Sequence, residues 1–540
     1  MISDVPRITI QSWNEPFSES SVPQFEKVFA EYIANQRWYR AKAHRIERLS
    51  IVDAVPLSAT DLITVIEIQY PDGTSASTYL VPLSVREISK SPPTQSEIIA
   101  HLRNSVGEQR ILTSALSEAD FRDTLLKAVA CEATFQSRHG RLIASHTRAL
   151  SYLCGGALPR VDSAVSRAEQ SNTSIIYGDR FILKLFRKVE PGINPDIEVG
   201  TFLTNRGFKH TPAVLGCIEY RDQSSVYAAA ILQQFVRNQG DAWKYTLDSL
   251  GSFFETVLPL GERPDLFDLA NQHPIVLMDQ SVPPEARRLL STYLDSVELL
   301  GKRTAQMHAS LMGSNDTDFA PEPVTPQIRR QIYDEVVAQA NIAFEGLRQK
   351  QAELSGATGA AAREVLHRES EIIQRFSDLH DMPITTVRIR YHGDYHLGQV
   401  LFTGEDFMII DFEGEPARPL SDRRSKGLAM RDVAGMIRSF QYAAYAALFG
   451  GVRGIPEDPA NLPLVEHWAA FWNAFVGAAY LRAYFAEAQN SPFVPSSTEE
   501  RRLLLDACIL QKALYEISYE LNNRPDWVRI PLRGILNLTA

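Results

Sequence analysis

Between Tyr391 and Phe412 the chain reads YHGDYHLGQVLFTGEDFMIIDF. Polar side chains of catalytic type (His392, Asp394, His396, Gln399) are interleaved with apolar ones, and a second carboxylate, Asp411, ends the apolar run FMII. A buried segment of this kind must find a partner for each polar group, because an unmet one in an apolar interior is unfavourable by roughly 2–7 kcal/mol. The fold therefore has to bring these strand ends together around a polar site. Three chemistries compete for the segment: a metal-dependent hydrolase, a phosphoryl-transfer site and a structural polar turn.

The hydrolase reading rests on H-x-D-x-H, from His392, Asp394 and His396. A zinc site needs three or four ligands at compatible geometry, and the 12 histidines of the chain form no second cluster. The phosphoryl-transfer reading needs a carboxylate to orient the attacking hydroxyl and oxygen ligands for Mg²⁺. Asp394 to Gln399 has the spacing of D-x-x-x-x-N in protein-kinase catalytic loops, and Asp411 follows the next apolar strand, as the metal-binding Asp does there. A carboxylate and a side-chain carbonyl are the hard oxygen donors that Mg²⁺ takes.

Upstream residues extend this pattern. In SNTSIIYGDRFILKLFRK, Gly178-Asp179 signals a two-residue hairpin. Alternation puts Ile182, Lys184 and Phe186 on one face. Lys184 is expected to reach phosphates and to pair with Glu198, in the first turn of a helix capped by Asp196. The alternative is an edge-strand Lys reaching water past its apolar neighbours. AAAILQQFV, which includes Gln234 and Val236, stands where a hinge between two lobes would lie. No G-x-G-x-x-G precedes Lys184, so Ser171, Asn172 and Thr173 with their backbone amides are the candidates to cover the phosphates. His392 and His396 have structural readings as loop anchors. Arg423, Arg424, Arg431 and Asp432 read as anchors and a helix cap, and Glu413 and Glu415 stay open.

At 540 residues the chain is too long for one ordinary core. The apolar and charged fractions, 44% and 22%, are those of a globular protein, and a net charge of −10 argues against nucleic acid as a partner. The four cysteines form no CxxC pair, and neither a signal peptide nor a membrane-spanning segment is visible, so a cytoplasmic location is expected. Periodicity divides the chain at three levels: residues 1–95, a helix on an antiparallel sheet, with a turn at 71–77 and a linker at 89–97; residues 96–237; and residues 238–540, mainly helical. The last part includes a strand over 385–393 returning through 399–402, two long helices over 327–380 and a helix over 499–522.

QRWYRAKAHRIERLSIVDAVPL, GKRTAQMHASL, DFAPEP, YHGDYHLGQVLF, IIDFEGEPARPLSDRRSKGLAMRDVAGMIRSFQYAA and KALYEISYELNNRPDWVRIPLRGI together resemble the bacterial maltokinases, enzymes also found fused to trehalose synthase. The resemblance covers most of the length. It implies an α+β, bilobal, protein-kinase-like (aminoglycoside phosphotransferase-like) fold with an extra N-terminal α+β cap and a mainly helical C-lobe. It implies conversion of ATP and maltose to ADP and maltose 1-phosphate, feeding α-glucan synthesis, with Asp394 as base, Gln399 and Asp411 on Mg²⁺, and Lys184 with Glu198 serving the phosphates. Trehalose synthase is then a candidate partner. On the C-terminal helix, Lys512, Glu516 and Glu520 recur every four residues, with Tyr515 and Tyr519 on adjoining faces. One reading is a solvated ion-pair ladder. The resemblance favours a sugar-binding wall of Lys512, Tyr515, Glu516, Glu520, Asn523 and Arg524, with His392 beside it. Two rivals remain: a kinase for another sugar such as glucosamine, and a non-catalytic kinase-like scaffold.

Overall fold

The computed structural model describes residues 5–13, 16–42, 44–71, 75–88, 97–155, 158–166, 171–313, 316–446 and 462–539, without the side chains of 378 and 380. The centre of the expected turn (72–74), the expected linker through residue 96, and Glu169 and Gln170 lie outside the described residues.

Helix α1 (Val22–Ala34) buries Phe25, Phe29 and Ile33, one stripe at helical spacing. It packs on a sheet of β1 (Arg7–Thr9), β2 (Arg48–Pro56), β3 (Asp61–Gln69), β4 (Ser77–Glu87), β5 (Ile98–Arg103) and β6 (Gln109–Ser114), ordered β1-β5-β6-β4-β3-β2. β5 and β6 lie beyond the expected boundary at 95 and complete this first sheet, with β6 pairing β4 through Val85↔Leu112. Periodicity finds a strand but not its neighbour, which is why the boundary falls short.

A second sheet contains β7 (Thr134–Gln136), β8 (Arg141–His146), β9 (Ser163–Val165), β10 (Thr173–Tyr177) and β11 (Phe181–Leu185). β12 (Lys188–Val189) leaves it to pair with β4 of the first sheet. β13 (Val214–Arg221) and β14 (Val226–Gln234) complete the order β7-β8-β13-β14-β11-β10-β9. Helices α2 (Ala119–Ala130), α3 (Arg148–Cys154) and α4 (Pro195–Asn205) accompany it. The β10–β11 connection is a three-residue loop rather than the expected two-residue turn. Its last pair is Tyr177↔Phe181, and the Gly178 amide, at φ 56°, is drawn away to the Asp162 carbonyl.

β3 is buried on both faces. Leu62, Ile66 and Ile68 share a core with Phe25 and Phe29, whereas Ile63 and Val65, with Leu80 of β4, share one with Leu183 and Phe186. This double burial makes the two sheets one unit, Met1–Asn205 with Pro212–Arg237; Arg206–Thr211 and Asn238–Ala540 form the other.

The second unit is helical: α5 (Ala242–Val257), α6 (Pro264–Ala270), α7 (Pro274–Met278), α8 (Pro284–Leu311), α9 (Pro326–Lys350), α10 (Gly356–His367), α11 (Glu369–Gln374), α12 (Ser377–Asp381), α13 (Leu420–Arg423), α14 (Met430–Ala446), α15 (Leu462–Glu487), α16 (Thr498–Asn523) and α17 (Arg529–Leu538). The second long helix expected in 327–380 is three short ones, each turning an apolar residue inward: Val365, Ile372 and Leu379. The expected strand 385–393 shrinks to β16 (Val387–Arg388), which pairs β15 (Glu322–Pro323). β17 (Val400–Phe402) pairs β18 (Phe407–Ile409) instead of returning along it. The reason is that the loop amides of His392, Gly393 and Leu397 bond to side chains of α14, as described below.

α8 and α15 approach closely at Gly301, where an added Cβ would lie 2.4 Å from the Tyr480 carbonyl oxygen. Gly301→Ala is expected to lower the stability of the helical unit by about 1–3 kcal/mol, the usual penalty of overpacking, measured as a lower urea midpoint at unchanged m-value.

Candidate functional site

The loop 391–399 is seated on one face of α14. The backbone amides of His392 and Gly393 donate to the Asp432 carboxylate at 2.7 and 3.0 Å. His308 of α8 bonds the same carboxylate through Nε2 at 3.0 Å and the Tyr484 hydroxyl through Nδ1 at 2.9 Å. One turn further along α14, Gly435 leaves room for the Tyr395 carbonyl, which an added Cβ would meet at 2.6 Å. A turn beyond that, Ser439 Oγ accepts the Leu397 amide at 3.1 Å. His392 is 1% exposed; its Nε2 bonds the Ile410 carbonyl at 2.8 Å and its Nδ1 accepts the Asp394 amide at 3.4 Å. It holds the loop, and both of its ring nitrogens, expected to stand beside a sugar, are taken by backbone.

Asp394 emerges from this loop toward α16. Its Oδ1 accepts from Lys512 Nζ at 3.3 Å; its Oδ2 lies 3.8 Å from His396 Nε2 and, among the described residues, accepts no hydrogen bond. Burial pushes the Asp394 pKa up, but Lys512, His396 and His392 outweigh it and hold the carboxyl below its ordinary value. Asp394 thus stays ionised until the pH falls below the usual carboxylate range. Lys512 also donates to Glu415 Oε1 at 3.0 Å, and Glu415 Oε2 accepts from Arg418 Nε at 2.8 Å. Burial would lower the Lys512 pKa, yet Glu415 and Asp394 raise it, so the ammonium is firmly charged. Burial depresses the pKa of His396.

Glu516 and Glu520 of α16 also face inward. Glu516 accepts from Arg438 Nε at 3.0 Å, and Glu520 accepts from Arg524 at 2.9 and 2.7 Å and from the Tyr442 hydroxyl at 3.3 Å. Lys512, Glu516 and Glu520 therefore form no ladder with one another. Tyr515 and Tyr519 stack at 6.5 Å, and the Lys512 ammonium lies 4.7 Å from the Tyr515 ring centre. Asn523 bonds back to the Tyr519 carbonyl at 2.8 Å. A cleft at this place is lined by Gly393, Glu415, Arg431, Cys508, Lys512 and Tyr515.

Gln399 and Asp411 meet at the end of the β17–β18 hairpin, where Gln399 Nε2 donates to Asp411 Oδ2 at 3.0 Å. Asp411 has φ 68°, a left-handed conformation unusual for a residue other than Gly, and such strain concentrates at functional positions. The Ile410 amide donates to the Gln399 carbonyl, which locks the two residues in register.

In the sheet unit, Lys184 of β11 is 9% exposed, and the Asp196 carboxylate lies 3.5 Å from its ammonium. The cap of α4 differs from the expected one. Asn194 Oδ1 accepts the Asp196 and Ile197 amides, so Asp196 is not the cap and its side chain turns inward. Asn172 Oδ1 accepts the Arg187 amide at 3.4 Å, and Thr173, already in β10, accepts from Arg187 Nε at 2.9 Å. Ser171 is exposed. The Gln234 amide donates to the Ala213 carbonyl, and the chain passes to the helical unit after Arg237, just beyond Val236. Spacing does not reveal His308, Ser439, Arg438 or Arg418. Asp432, read from the sequence as an anchor or helix cap, stands in the first turn of α14.

The fold is α+β, with a cap sheet, a second curled sheet and a helical unit, and its class is kinase-like. The family profile of the maltokinase N-terminal cap domain matches residues 32–117. In sequence the chain is similar to a glucosamine kinase of Streptacidiphilus jiangxiensis, 25% identical over 402 residues that span 71% of this chain and 75% of that one. It is also similar to a glucosamine kinase of Mycolicibacterium smegmatis, 23% identical over 364 residues, 67% of this chain and 76% of the relative. A glucosamine kinase structure in complex with glucosamine, ADP and inorganic phosphate shares the fold, with TM-score 0.57 and 19% identity over 94% of this chain and 99% of that one. Crystal form B of glucosamine kinase gives 0.59 and 18% over the same shares. Together these mark the chain as a kinase-like enzyme. Among the described residues, no helix is long and apolar enough to cross a membrane.

Asp432→Ala removes the acceptor of two amides and an imidazole. It is expected to destabilise the helical unit by about 3–5 kcal/mol and to speed amide hydrogen exchange at His392 and Gly393 ahead of the rest of the unit.

Proposed function

We propose that this chain transfers the γ-phosphoryl group of ATP to the anomeric hydroxyl of maltose, giving maltose 1-phosphate and ADP. The observation that carries the reading is Asp394 itself: a carboxylate held ionised by Lys512 through Oδ1, with Oδ2 left to accept a hydroxyl. Asp394 orients the attacking hydroxyl and takes its proton late, since phosphoryl transfer is largely positioning and charge stabilisation. The donor set at the hairpin end, the Gln399 side-chain amide oxygen and the Asp411 carboxylate, suits Mg²⁺, and these two residues, already in contact, would hold it. When bound, the ion neutralises charge on the triphosphate. Lys184, kept in place by Asp196, serves the phosphates, with Ser171, Asn172 and Thr173 covering them and Gln234 and Val236 meeting the base.

The charge balance of the wall supports a neutral sugar. Glu415, Glu516 and Glu520 each have an internal cation in Lys512 with Arg418, Arg438, and Arg524 respectively, so none is left for an ammonium group. Lys512 would repel one. Tyr515 and Tyr519 offer ring faces to a pyranose. Maltose itself, and trehalose synthase as a partner, rest on the sequence resemblance. The second reading, an amino-sugar kinase, is favoured by the relatives, which are glucosamine kinases.

A sugar panel with ATP and Mg²⁺, read as ADP release and as a phosphate ester at the anomeric carbon, is expected to select maltose; turnover of glucosamine alone would establish the second reading. Asp394→Asn is expected to lower kcat by roughly 10²–10⁴-fold with ATP affinity little changed, by steady-state kinetics and nucleotide titration. Because the Asp394 pKa is depressed, wild-type kcat/KM is expected to show no limb from this carboxylate between about pH 5 and 8.

A further inference from the structure

Arg187 lies three residues beyond Lys184 and is 4% exposed. Its Nε donates to Thr173 Oγ1 at 2.9 Å, its own amide to Asn172 Oδ1 at 3.4 Å, and its Nη1 to the Leu80 carbonyl at 3.3 Å. The Leu80 amide returns a bond to the Arg187 carbonyl at 2.8 Å, and the guanidinium sits 4.9 Å from the Trp38 ring centre. Among the described residues no carboxylate faces it. Burial pulls its pKa down to about 10, which still leaves it protonated at neutral pH.

Trp38 and Leu80 belong to the first sheet and its flank, Asn172 and Thr173 to the second. A buried guanidinium with no counter-charge is unfavourable unless something else repays its desolvation. Lys184, by contrast, is balanced by Asp196. The segment 171–173 also lacks the glycines that let a phosphate-binding loop wrap its ligand by backbone alone. Its shape depends on what grips it.

We infer that Arg187 is a positioning residue for the polyphosphate nucleotide, tying the 171–173 segment to Trp38 and Leu80 so that the cap sets the nucleotide affinity of the second sheet. The inference rests on the kinase reading of that segment. The guanidinium reaches Thr173 and Leu80 from two separate nitrogens, Nε and Nη1, held in a rigid planar fork that the single nitrogen of an ammonium does not reproduce, and its uncompensated charge adds to the attraction for an anionic ligand.

The test uses the full chain, titrated with ATP and Mg²⁺ without sugar, then assayed with the sugar it turns over. Arg187→Met is expected to weaken ATP binding and raise the ATP KM by about tenfold or more, with Arg187→Lys rescuing only in part and the sugar KM unchanged. Trp38→Leu, a change wholly within the cap, is expected to weaken ATP binding in the same direction. A merely structural role would lower the melting temperature and the active fraction but leave the ATP KM alone, and that result overturns the inference. Should Arg187→Met fail to fold, Trp38→Leu decides, and unchanged ATP affinity in it is likewise a refutation. Wild-type chain that binds no ATP removes the kinase reading and this inference with it; wild-type chain that binds ATP no better than the variants removes the inference alone.

Discussion

A single buried carboxylate, Asp432, holds the chemistry of this protein in place. It is 1% exposed and accepts two backbone amides and one imidazole. The loop it receives has no strand beside it, so without Asp432 the His392 and Gly393 amides would be buried donors with no acceptor. Its place in the first turn of α14 helps, because the helix N-terminus favours negative charge. The same helix meets the loop again at Gly435 and Ser439. Residues at spacings of three and four along α14 thus hold positions 392–393, 395 and 397 in turn. The helix is a template on which an irregular segment acquires one conformation, and Asp394 is aimed by it.

From that anchor a line of alternating charge runs Asp394, Lys512, Glu415, Arg418. Such a line is favourable in a poorly hydrated site only because every member has an opposite neighbour. It keeps Asp394 ionised without quenching it, since Lys512 divides its ammonium between two carboxylates. Asp411 stands at the end of the short β17–β18 ladder, bonded to Gln399 and with a left-handed backbone. The sheet unit follows the same logic at Lys184 and departs from it at Arg187, where aromatic and carbonyl contacts stand in for a counter-charge.

Much of the candidate site could be read from the sequence because its parts are close along the chain. Asp394, Gln399 and Asp411 lie within one loop and one hairpin, and the five-residue step between the first two carries its meaning without a fold. Lys184 was legible as a cation in an apolar strand, but the cap of the helix that follows was misplaced by two residues. Asn194 takes the capping role, and a cap is decided by which side chain reaches the free amides, a choice that composition leaves open between Asn194 and Asp196. His392 was set beside the sugar wall, yet its ring is consumed by the loop that it closes. The recurrence of Lys512, Glu516 and Glu520 was visible, whereas their partners Glu415, Arg438 and Arg524 were not, apart from the local Arg524.

The amino-acid sequence by itself determined the elements and the order of the chemical groups: a helix on antiparallel strands at the start, a lysine-bearing hairpin, a catalytic-type loop and a long polar-faced helix at the end. Periodicity and short spacings carry that information, because they reflect covalent distance. Only the tertiary structure decided that β5 and β6 join the cap sheet, that β3 is covered on both faces, that Asp432 and His308 hold the loop, and that Arg187 bridges two sheets. Those are pairings between groups far apart along the chain. They follow from which apolar faces bury each other, and a linear pattern states that a face exists without stating what it meets.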